Sequence, residues 1–378
     1  MAERAPSARM SLAGSPALRR YSRHLLIPEV GLAGQERLAA ARVLVVGSGG
    51  LGSPVLQYLA AAGVGRIGVM DDDTVDETNL QRQTIFTTGD VGRAKAASAA
   101  EHLRALNPYV AVDAIPVRFT AANARELVRL YDLVVDCTDR FSTRYLVNDA
   151  CVLEGKPDIY ASIFRFDGQV SVFGAPGGPC YRCLYPEAPP AGSVPTCAEG
   201  GVLGVLGGIV GALQANEALK LLLRIGEPLV GRLLLVDALG GRTREIAYER
   251  DPACALCGDA PTIRDVRASD EDDEAPLDGE IEPSELDAAL ANAQLLDVRE
   301  PHEVVLGIVD GALHVPASEL EARLHELDSA RQYVVACRVG AKSRWAVQRL
   351  RDAGFLRVRH LRGGLLAYAA SRPEFEFF

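Results

Sequence analysis

The chain of 378 residues carries 40 Lys and Arg against 50 Asp and Glu, a formal net charge of -10 at pH 7, with 48% hydrophobic and 24% charged residues. That balance belongs to a globular protein with room for about two or three domains, and it excludes nonspecific nucleic-acid binding, which needs a basic excess to neutralise phosphates. The longest apolar stretch, residues 200–213, is glycine-rich and is followed at once by Gln214, Asn216, Glu217 and Lys220. It reads as a buried or interface helix, too short to cross a bilayer, so no membrane is expected.

Residues 1–16, rich in Ala, Arg, Ser and Pro and without an apolar leader core, read as a disordered tail, with a transit peptide as the other reading of that composition. A first domain is expected over 17–260, opening on the helical pattern L-R-R-Y-S-R-H-L-L with Arg20 and Arg23. Its organising stretch is R-V-L-V-V-G-S-G-G-L-G, residues 42–52. A β-branched run over 43–46 predicts a buried strand, and an Ala- and Leu-rich run over 53–62 predicts a helix. Between them Gly47, Gly49 and Gly52 hold the G-x-G-x-x-G spacing, with Gly50 inside it as a further candidate for the nucleotide, a spacing that turns the chain tightly, admits a phosphate close to the backbone and aims a helix N-terminus at it. A second strand over 66–70 ends in Asp71, placed to accept a ribose hydroxyl.

The polar segment D-D-D-T-V-D-E-T-N-L-Q-R-Q, residues 71–83, lies directly beyond that strand, where open α/β sheets place ligands. Lys95 opens a helix running through about Leu106, and a further strand over 133–136 leads into C-T-D, residues 137–139. Asp71, Arg82, Lys95 and Asp139 are thereby expected around one crevice, two cations to neutralise a triphosphate and a carboxylate to hold Mg2+. The absence of a G-x-x-x-x-G-K-[ST] loop excludes a Walker-type ATPase. Cys137 and Cys151 read as buried small hydrophobes.

More strands are expected near Ile159, Val170 and Leu235. Among them the eight cysteines include two C-x-x-C pairs, Cys180 with Cys183 and Cys254 with Cys257. Four thiolates on two knuckles fit a closed tetrahedral Zn2+ site, structural because it leaves no open position. Cys197 sits in a Pro- and Gly-rich loop before a helix, and its chemistry alone leaves a nucleophile and a bystander thiol equally open.

Residues 261–279 form an acidic, aromatic-free stretch that reads as a linker. The last segment, 280–378, reads as a small α/β domain with strands through 295–297 and 333–335, a helical segment over 319–327 and a helix through Trp345 and Leu350. Its C-R-V-G-A-K-S loop, residues 337–343, follows a strand and precedes a helix, an arrangement whose N–H groups form an anion nest. Arg338 and Lys342 are expected to add positive charge that holds Cys337 as a thiolate and stabilises a persulfide. A phosphatase loop needs C-x5-R, and here the arginine comes one residue late, at Arg344.

These motifs together are specific. G-S-G-G-L-G, N-L-Q-R-Q, C-T-D, the paired C-x-x-C and T-C-A-E-G-G-V-L-G resemble the MoeB/ThiF-type adenylyltransferases that activate ubiquitin-like sulfur carriers. D-V-R-E-P-H-E and the Cys337 loop resemble a rhodanese, so the order is similar to the fused, MoeZ-like adenylyltransferase–sulfurtransferases of molybdopterin, thiamine or tRNA-thiolation pathways. The resemblance implies a Rossmann-like domain with a mostly parallel mixed sheet and structural zinc, followed by a small α/β rhodanese domain. It implies that Asp71 binds the ribose of ATP, that Asn79, Arg82 and Lys95 surround its phosphates, and that Asp139 positions Mg2+. It implies that Arg23 reaches into the partner's nucleotide site of a homodimer, that Cys197 is a conjugating cysteine, and that Cys337 bears the persulfide. The implied enzyme is cytoplasmic; its carrier ends in Gly-Gly and its sulfur donor is a cysteine desulfurase or thiosulfate.

The sequence departs from the family at four places. Asp72 replaces an apolar residue after Asp71, Arg140 replaces an Asn, Ile308 stands where a structural histidine is usual, and Lys342 replaces an Arg. Two other readings follow from the residues: a carrier-docking scaffold with a defunct site, suggested by Asp72 and Arg140, and an NAD-dependent oxidoreductase, which the glycine fingerprint with Asp71 would equally serve. N-L-Q-R-Q and Lys95 speak against the second, since hydride transfer needs no such phosphate-directed charge.

Overall fold

The computed structural model describes residues 16–189, 201–267, 278–305, 307–370 and 372. They form two compact units, the first holding the described residues 16–188 and 201–267 and the second those from 278 onward. Cys197 lies outside the described residues.

The first unit is built on an eight-stranded sheet in the order β3-β2-β1-β4-β5-β6-β7-β8. Its strands are β1 (Arg42–Val46), β2 (Arg66–Met70), β3 (Ala111–Ile115), β4 (Leu133–Asp136), β5 (Asp158–Phe164), β6 (Asp167–Phe173), β7 (Arg232–Asp237) and β8 (Arg242–Ala247). β3 through β5 pair in parallel, and β5 to β8 pair antiparallel, which makes the mixed Rossmann-like sheet the sequence implies. Strand order reverses between β1 and β4, so their carboxyl ends open the crevice in which such sheets hold ligands.

The β1 run is apolar throughout because both its faces are covered. Val43 and Val45 pack with helices α2 (Gly52–Ala62), α3 (Lys95–Leu106) and α6 (Gly204–Leu223), the last two following α1 (Gly31–Ala40) in covering that face. Leu44 and Val46 pack instead with α4 (Ala124–Arg129) and α5 (Phe141–Glu154). Residues 261–267, expected to belong to a linker, still lean on this unit: Val266 is buried in its core and Asp265 pairs with Arg125 at 3.2 Å.

The helix read from residues 200–213 is longer than expected. α6 has 20 residues, and by length and composition alone it could cross a membrane. Here its polar residues are used inside the protein. Gln214 Nε2 donates to the carbonyls of Asp136 (2.6 Å) and Ile159 (2.7 Å), and Glu217 accepts from the Leu229 N–H at 2.9 Å. Gly207 sets how closely α6 approaches the glycine loop, because a Cβ there would lie 2.6 Å from the Gly50 carbonyl oxygen.

The second unit is a four-stranded parallel sheet, β10-β9-β11-β12, made of β9 (Gln294–Asp297), β10 (Leu313–His314), β11 (Tyr333–Ala336) and β12 (Val358–His360). Helix α7 (Ala341–Asp352) covers one face through Ala346, Val347 and Leu350, and α8 (Gly364–Ala370) covers the other through Leu365 and Tyr368. The helical segment expected over 319–327 is three short turns, Ala317–Glu319, Leu320–Arg323 and Leu324–Glu326. Leu320 and Leu327 are both buried, and tight 3-10 turns let the chain follow the core between them.

Gly207→Val should therefore push α6 off the glycine loop. The expected result is a loss of about 1–3 kcal/mol in urea unfolding, the usual range for overpacking, together with weaker nucleotide binding.

Candidate functional site

The glycine loop leaves β1 at Gly47, whose φ of 92° is left-handed, and a Cβ there would sit 2.9 Å from the Cys137 carbonyl oxygen. Glycine at this position is required on both grounds. The loop is then held by Asp71 at the end of β2. Ser48 donates to Asp71 Oδ2 from its backbone N–H at 2.8 Å and from its hydroxyl at 2.7 Å, while the Asp73 N–H donates to Oδ1 at 3.0 Å. Asp71, expected from the sequence to accept a ribose hydroxyl, thus holds the glycine loop.

Lys95, at the start of α3, is a buried cation whose Nζ donates to the exposed Asp73 carboxylate at 2.9 Å. Arg82 lays its aliphatic stem about 3.5 Å from the position a Gly50 Cβ would take, and its Nη1 donates to the Thr78 carbonyl at 3.0 Å. Asn79 ends a 3-10 turn and its carbonyl accepts from the Arg82 and Gln83 N–H groups. Asp71, Lys95, Arg82 and Asn79 are therefore gathered beside Gly49 and Gly50. Asp72 completes a run with Asp71 and Asp73 whose carboxylate oxygens lie within 4.8 Å of one another.

Asp139 arrives from the neighbouring strand. It is exposed, two residues beyond Cys137, whose N–H donates to the Val46 carbonyl at 2.9 Å. Asp136 beneath it is wholly buried. Its Oδ1 accepts from the Thr138 N–H (2.9 Å) and hydroxyl (2.6 Å), while Oδ2 has no partner, and burial pushes its carboxyl up. Arg140, another of the departures, stands exposed and extended at the N-cap position of α5, with no side-chain bond to the helix end. Cys137 and Cys151 are buried, and desolvation raises both thiols well above their ordinary value, as expected of inert cysteines.

Two residues that sequence reasoning left unassigned also line this region. Gln83 is buried with its Oε1 unpartnered, and its amide nitrogen lies 3.6 Å from the position a Gly49 Cβ would take. Arg144 is buried on α5, donating to the Thr138 carbonyl at 3.3 Å and the Ser162 hydroxyl at 3.1 Å, and stacks over Phe141 and Tyr160. Gln83 closes the N-L-Q-R-Q motif and was open to detection there; Arg144 had no signal beyond its helix.

Arg23 lies elsewhere. Its neighbour His24 bonds Gln35 at 3.2 Å, and Gln35 donates to the Ala62 carbonyl, at the end of α2 farthest from the glycine loop. The 11 residues of α2 put about 16 Å between them. Arg23 is exposed there and takes no part in its own chain's crevice.

Cys180, Cys183, Cys254 and Cys257 converge, with Sγ separations of 3.9 Å (180–183), 3.7 Å (180–254) and 3.3 Å (183–257). A tetrahedron with Zn–S bonds of about 2.3 Å has edges of about 3.8 Å, so the donor set fits zinc. Burial pushes the Cys180 thiol up and the Cys257 thiol to about 12, a cost that a divalent cation offsets by taking thiolates as ligands.

In the second unit, Cys337 lies at the turn from β11 into α7. Its Sγ accepts from the Gly340 N–H at 3.1 Å and lies 3.5 Å from the Ser343 hydroxyl. Burial nevertheless holds the thiol above its ordinary value, against the opposing hydrogen bonds of Ser343, Gly340 and Val339. The expected thiolate-holding charge of Lys342 is directed elsewhere, since its Nζ donates to the buried Glu303 at 2.7 Å. Ile308, in place of the usual histidine, is exposed, and Arg299 holds the adjacent turn by donating to the Gly307 carbonyl at 2.7 Å.

Comparison with known proteins agrees with this geometry. Residues 21–256 match the ThiF family and residues 282–371 match the rhodanese-like domain. The chain is 47% identical, over 93% of its length and 92% of the relative's, to a probable adenylyltransferase/sulfurtransferase MoeZ of Mycobacterium tuberculosis. It is 44% identical to the adenylyltransferase and sulfurtransferase MOCS3 of Bos taurus, over 93% and 86% of the two chains. A sulfur carrier protein adenylyltransferase of Thermus thermophilus is 58% identical over 66% of this chain and 94% of its own. Among solved structures, E. coli MccB with MccA-N7isoASN superposes with a TM-score of 0.57 at 25% identity, covering 63% of this chain and 74% of that one.

Two outcomes follow. Metal analysis should find about one zinc per chain, lost with a fall in melting temperature when a strong chelator is added or in Cys180→Ser. His360, buried in the second unit, is pushed down to about 4 from 6.5 by burial and the nearby Arg344. A histidine kept neutral in the folded state stabilises fully above pH 6.5 and loses that contribution as pH falls towards 4. Melting scans of the full chain should show this slope, and His360→Asn should flatten it.

Proposed function

This chain belongs to the ThiF family, as an adenylyltransferase joined to a rhodanese-like sulfurtransferase, and we propose that it adenylates the C-terminal glycine of a ubiquitin-like sulfur carrier ending in Gly-Gly and converts it to a thiocarboxylate. The observation that carries this reading is the Asp71 carboxylate gripping the glycine loop through Ser48, with Lys95 held beside it on Asp73. One group organises the phosphate loop while cations flank it.

ATP lies with its phosphates on the glycine loop and its ribose at Asp71. The carrier's terminal carboxylate, ionised at pH 7, attacks the α-phosphorus, and the bond to pyrophosphate breaks. Arg82 and Lys95 stabilise the charge on the departing group, with Asn79 orienting it. No general base is required. Asp139 offers a hard oxygen ligand for Mg2+, which supplies further charge neutralisation when bound. Zn2+ in the four-thiol cluster has a structural role.

Cys337, charged with sulfur by thiosulfate or a cysteine desulfurase, attacks the acyl carbon through its terminal persulfide sulfur. AMP leaves with the bonding pair and an acyl disulfide remains on Cys337. We assign Cys197 the second thiol, which attacks Cys337 Sγ, releases the thiocarboxylate and leaves a disulfide for a thiol reductant to reopen. Arg23, remote from its own crevice, serves the nucleotide site of a second copy, so the working unit is a homodimer. The setting is cytoplasmic.

ATP–pyrophosphate exchange tests the first step. With a Gly-Gly-ending carrier the wild type should exchange label and Asp139→Ala should fall by at least about 100-fold. Nucleotide binding without exchange for any carrier would instead leave a docking scaffold.

A further inference from the structure

Arg144, in the first turn of α5, is a buried cation that has no carboxylate. It is 6% exposed, and no acidic side chain among the described residues lies within ion-pair distance of it. Both of its hydrogen bonds leave from Nη2, to the Thr138 carbonyl at 3.3 Å and to the Ser162 hydroxyl at 3.1 Å. Its Nε is buried with no partner. The buried Asp136 of β4 is bonded to Thr138 through Oδ1, and its Oδ2 has no partner, Arg144 included. Taking a cation out of water is costly unless an anion joins it, so this guanidinium calls for an anion from outside the chain.

Its place in the fold limits what that anion can be. β4 and β5 run parallel with Asp136 opposite Tyr160, and Thr138 and Ser162 lie two residues further along each. Arg144 therefore bridges the carboxyl ends of two adjacent strands, one strand over from β1. Cys137, just before Thr138, touches the glycine loop: a Cβ on Gly47 would lie 2.9 Å from its carbonyl oxygen. Asp139 follows Thr138 directly. The guanidinium is fixed by stacking on Phe141 at 5.0 Å and Tyr160 at 5.6 Å, and Tyr160 packs in turn against Phe173 at 5.5 Å and Tyr181 at 5.3 Å. The phosphates of ATP have the glycine loop, Arg82 and Lys95. The other anion of the reaction, the carrier's terminal carboxylate, has no group assigned to it.

We propose that Arg144 is the receptor for that carboxylate. This rests on the reading of the protein as a carrier adenylyltransferase. The carboxylate takes a charge-assisted bond from the N–H groups that the two Nη2 contacts leave over, and its charge supplies the missing counter-ion. One carboxylate oxygen then bonds to the α-phosphorus as pyrophosphate leaves with the electron pair. The other stays on Arg144 and becomes the carbonyl oxygen of the acyl-adenylate. When the persulfide sulfur bonds to the acyl carbon, negative charge collects on this same oxygen, beside the guanidinium. The carbon–oxygen bond to AMP then breaks and AMP takes the pair. One fixed cation thus orients the nucleophile of the first step and stabilises the oxyanion of the second.

The test is a binding cycle on the full chain, using the Gly-Gly-ending carrier that supports ATP–pyrophosphate exchange, made with either a C-terminal carboxylate or a carboxamide. In titration calorimetry without nucleotide, the wild type should bind the carboxylate about 10- to 100-fold more tightly than the carboxamide. Arg144→Gln should bind the two alike and match the wild type on the carboxamide, which a merely structural arginine would not do. Arg144→Lys, which keeps a charge but not the planar stack, should fall between them. Equal affinity of the wild type for both forms would overturn the proposal, and that arm holds even where a variant fails to fold. An unaltered preference in folded Arg144→Gln would overturn it as well, while leaving adenylation intact. If no carrier supports exchange, the adenylation reading falls, and the proposal with it.

Discussion

The first unit depends on one carboxylate. Asp71 receives the backbone and side chain of Ser48 and the N–H of Asp73, and so joins the loop after β1 to the segment after β2. Three hydrogen bonds to a charged acceptor, two of them from a loop that must keep Gly47 left-handed, are what fix the turn in place. Lys95 belongs to the same assembly, because Asp73 binds both its ammonium and, through a carbonyl, its backbone N–H.

Around that point the fold arranges close packing. α6 comes within contact of the loop only because Gly207 lacks a side chain, and its buried Gln214 bonds the ends of β4 and β5. A helix whose composition passes for a membrane span is thereby consumed as the cover of a crevice. Asp136, with one buried oxygen unpartnered, marks the polar floor under Asp139. Such an orphaned group is costly in a folded core and is expected where a ligand site departs from ideal packing.

The second unit treats its cysteine differently from the sequence expectation. Arg338 and Lys342 suggested that charge would create a thiolate. Instead Lys342 pairs with Glu303, and the groups on the buried Cys337 sulfur are the Gly340 N–H and the Ser343 hydroxyl. A loop motif records which backbone donors are near a sulfur. It does not record the net of desolvation and remote partners.

The sequence by itself determined the local elements and their chemistry. The β-branched run before G-x-G-x-x-G, the acid ending β2 and the spacing of two C-x-x-C pairs each follow from short-range geometry, which periodicity and turn chemistry express directly. Family motifs added the assignment of adenylyltransferase joined to sulfurtransferase and separated it from an NAD-dependent oxidoreductase, which the glycine fingerprint alone did not. Tertiary structure decided what depends on distant residues meeting: Ser48 on Asp71, Lys342 on Glu303 rather than Cys337, Arg23 remote from its own crevice, and His360 within reach of Ser343. Those partners are separated in the chain by between about 17 and 40 residues and are brought together by strand order and burial, which no local pattern encodes.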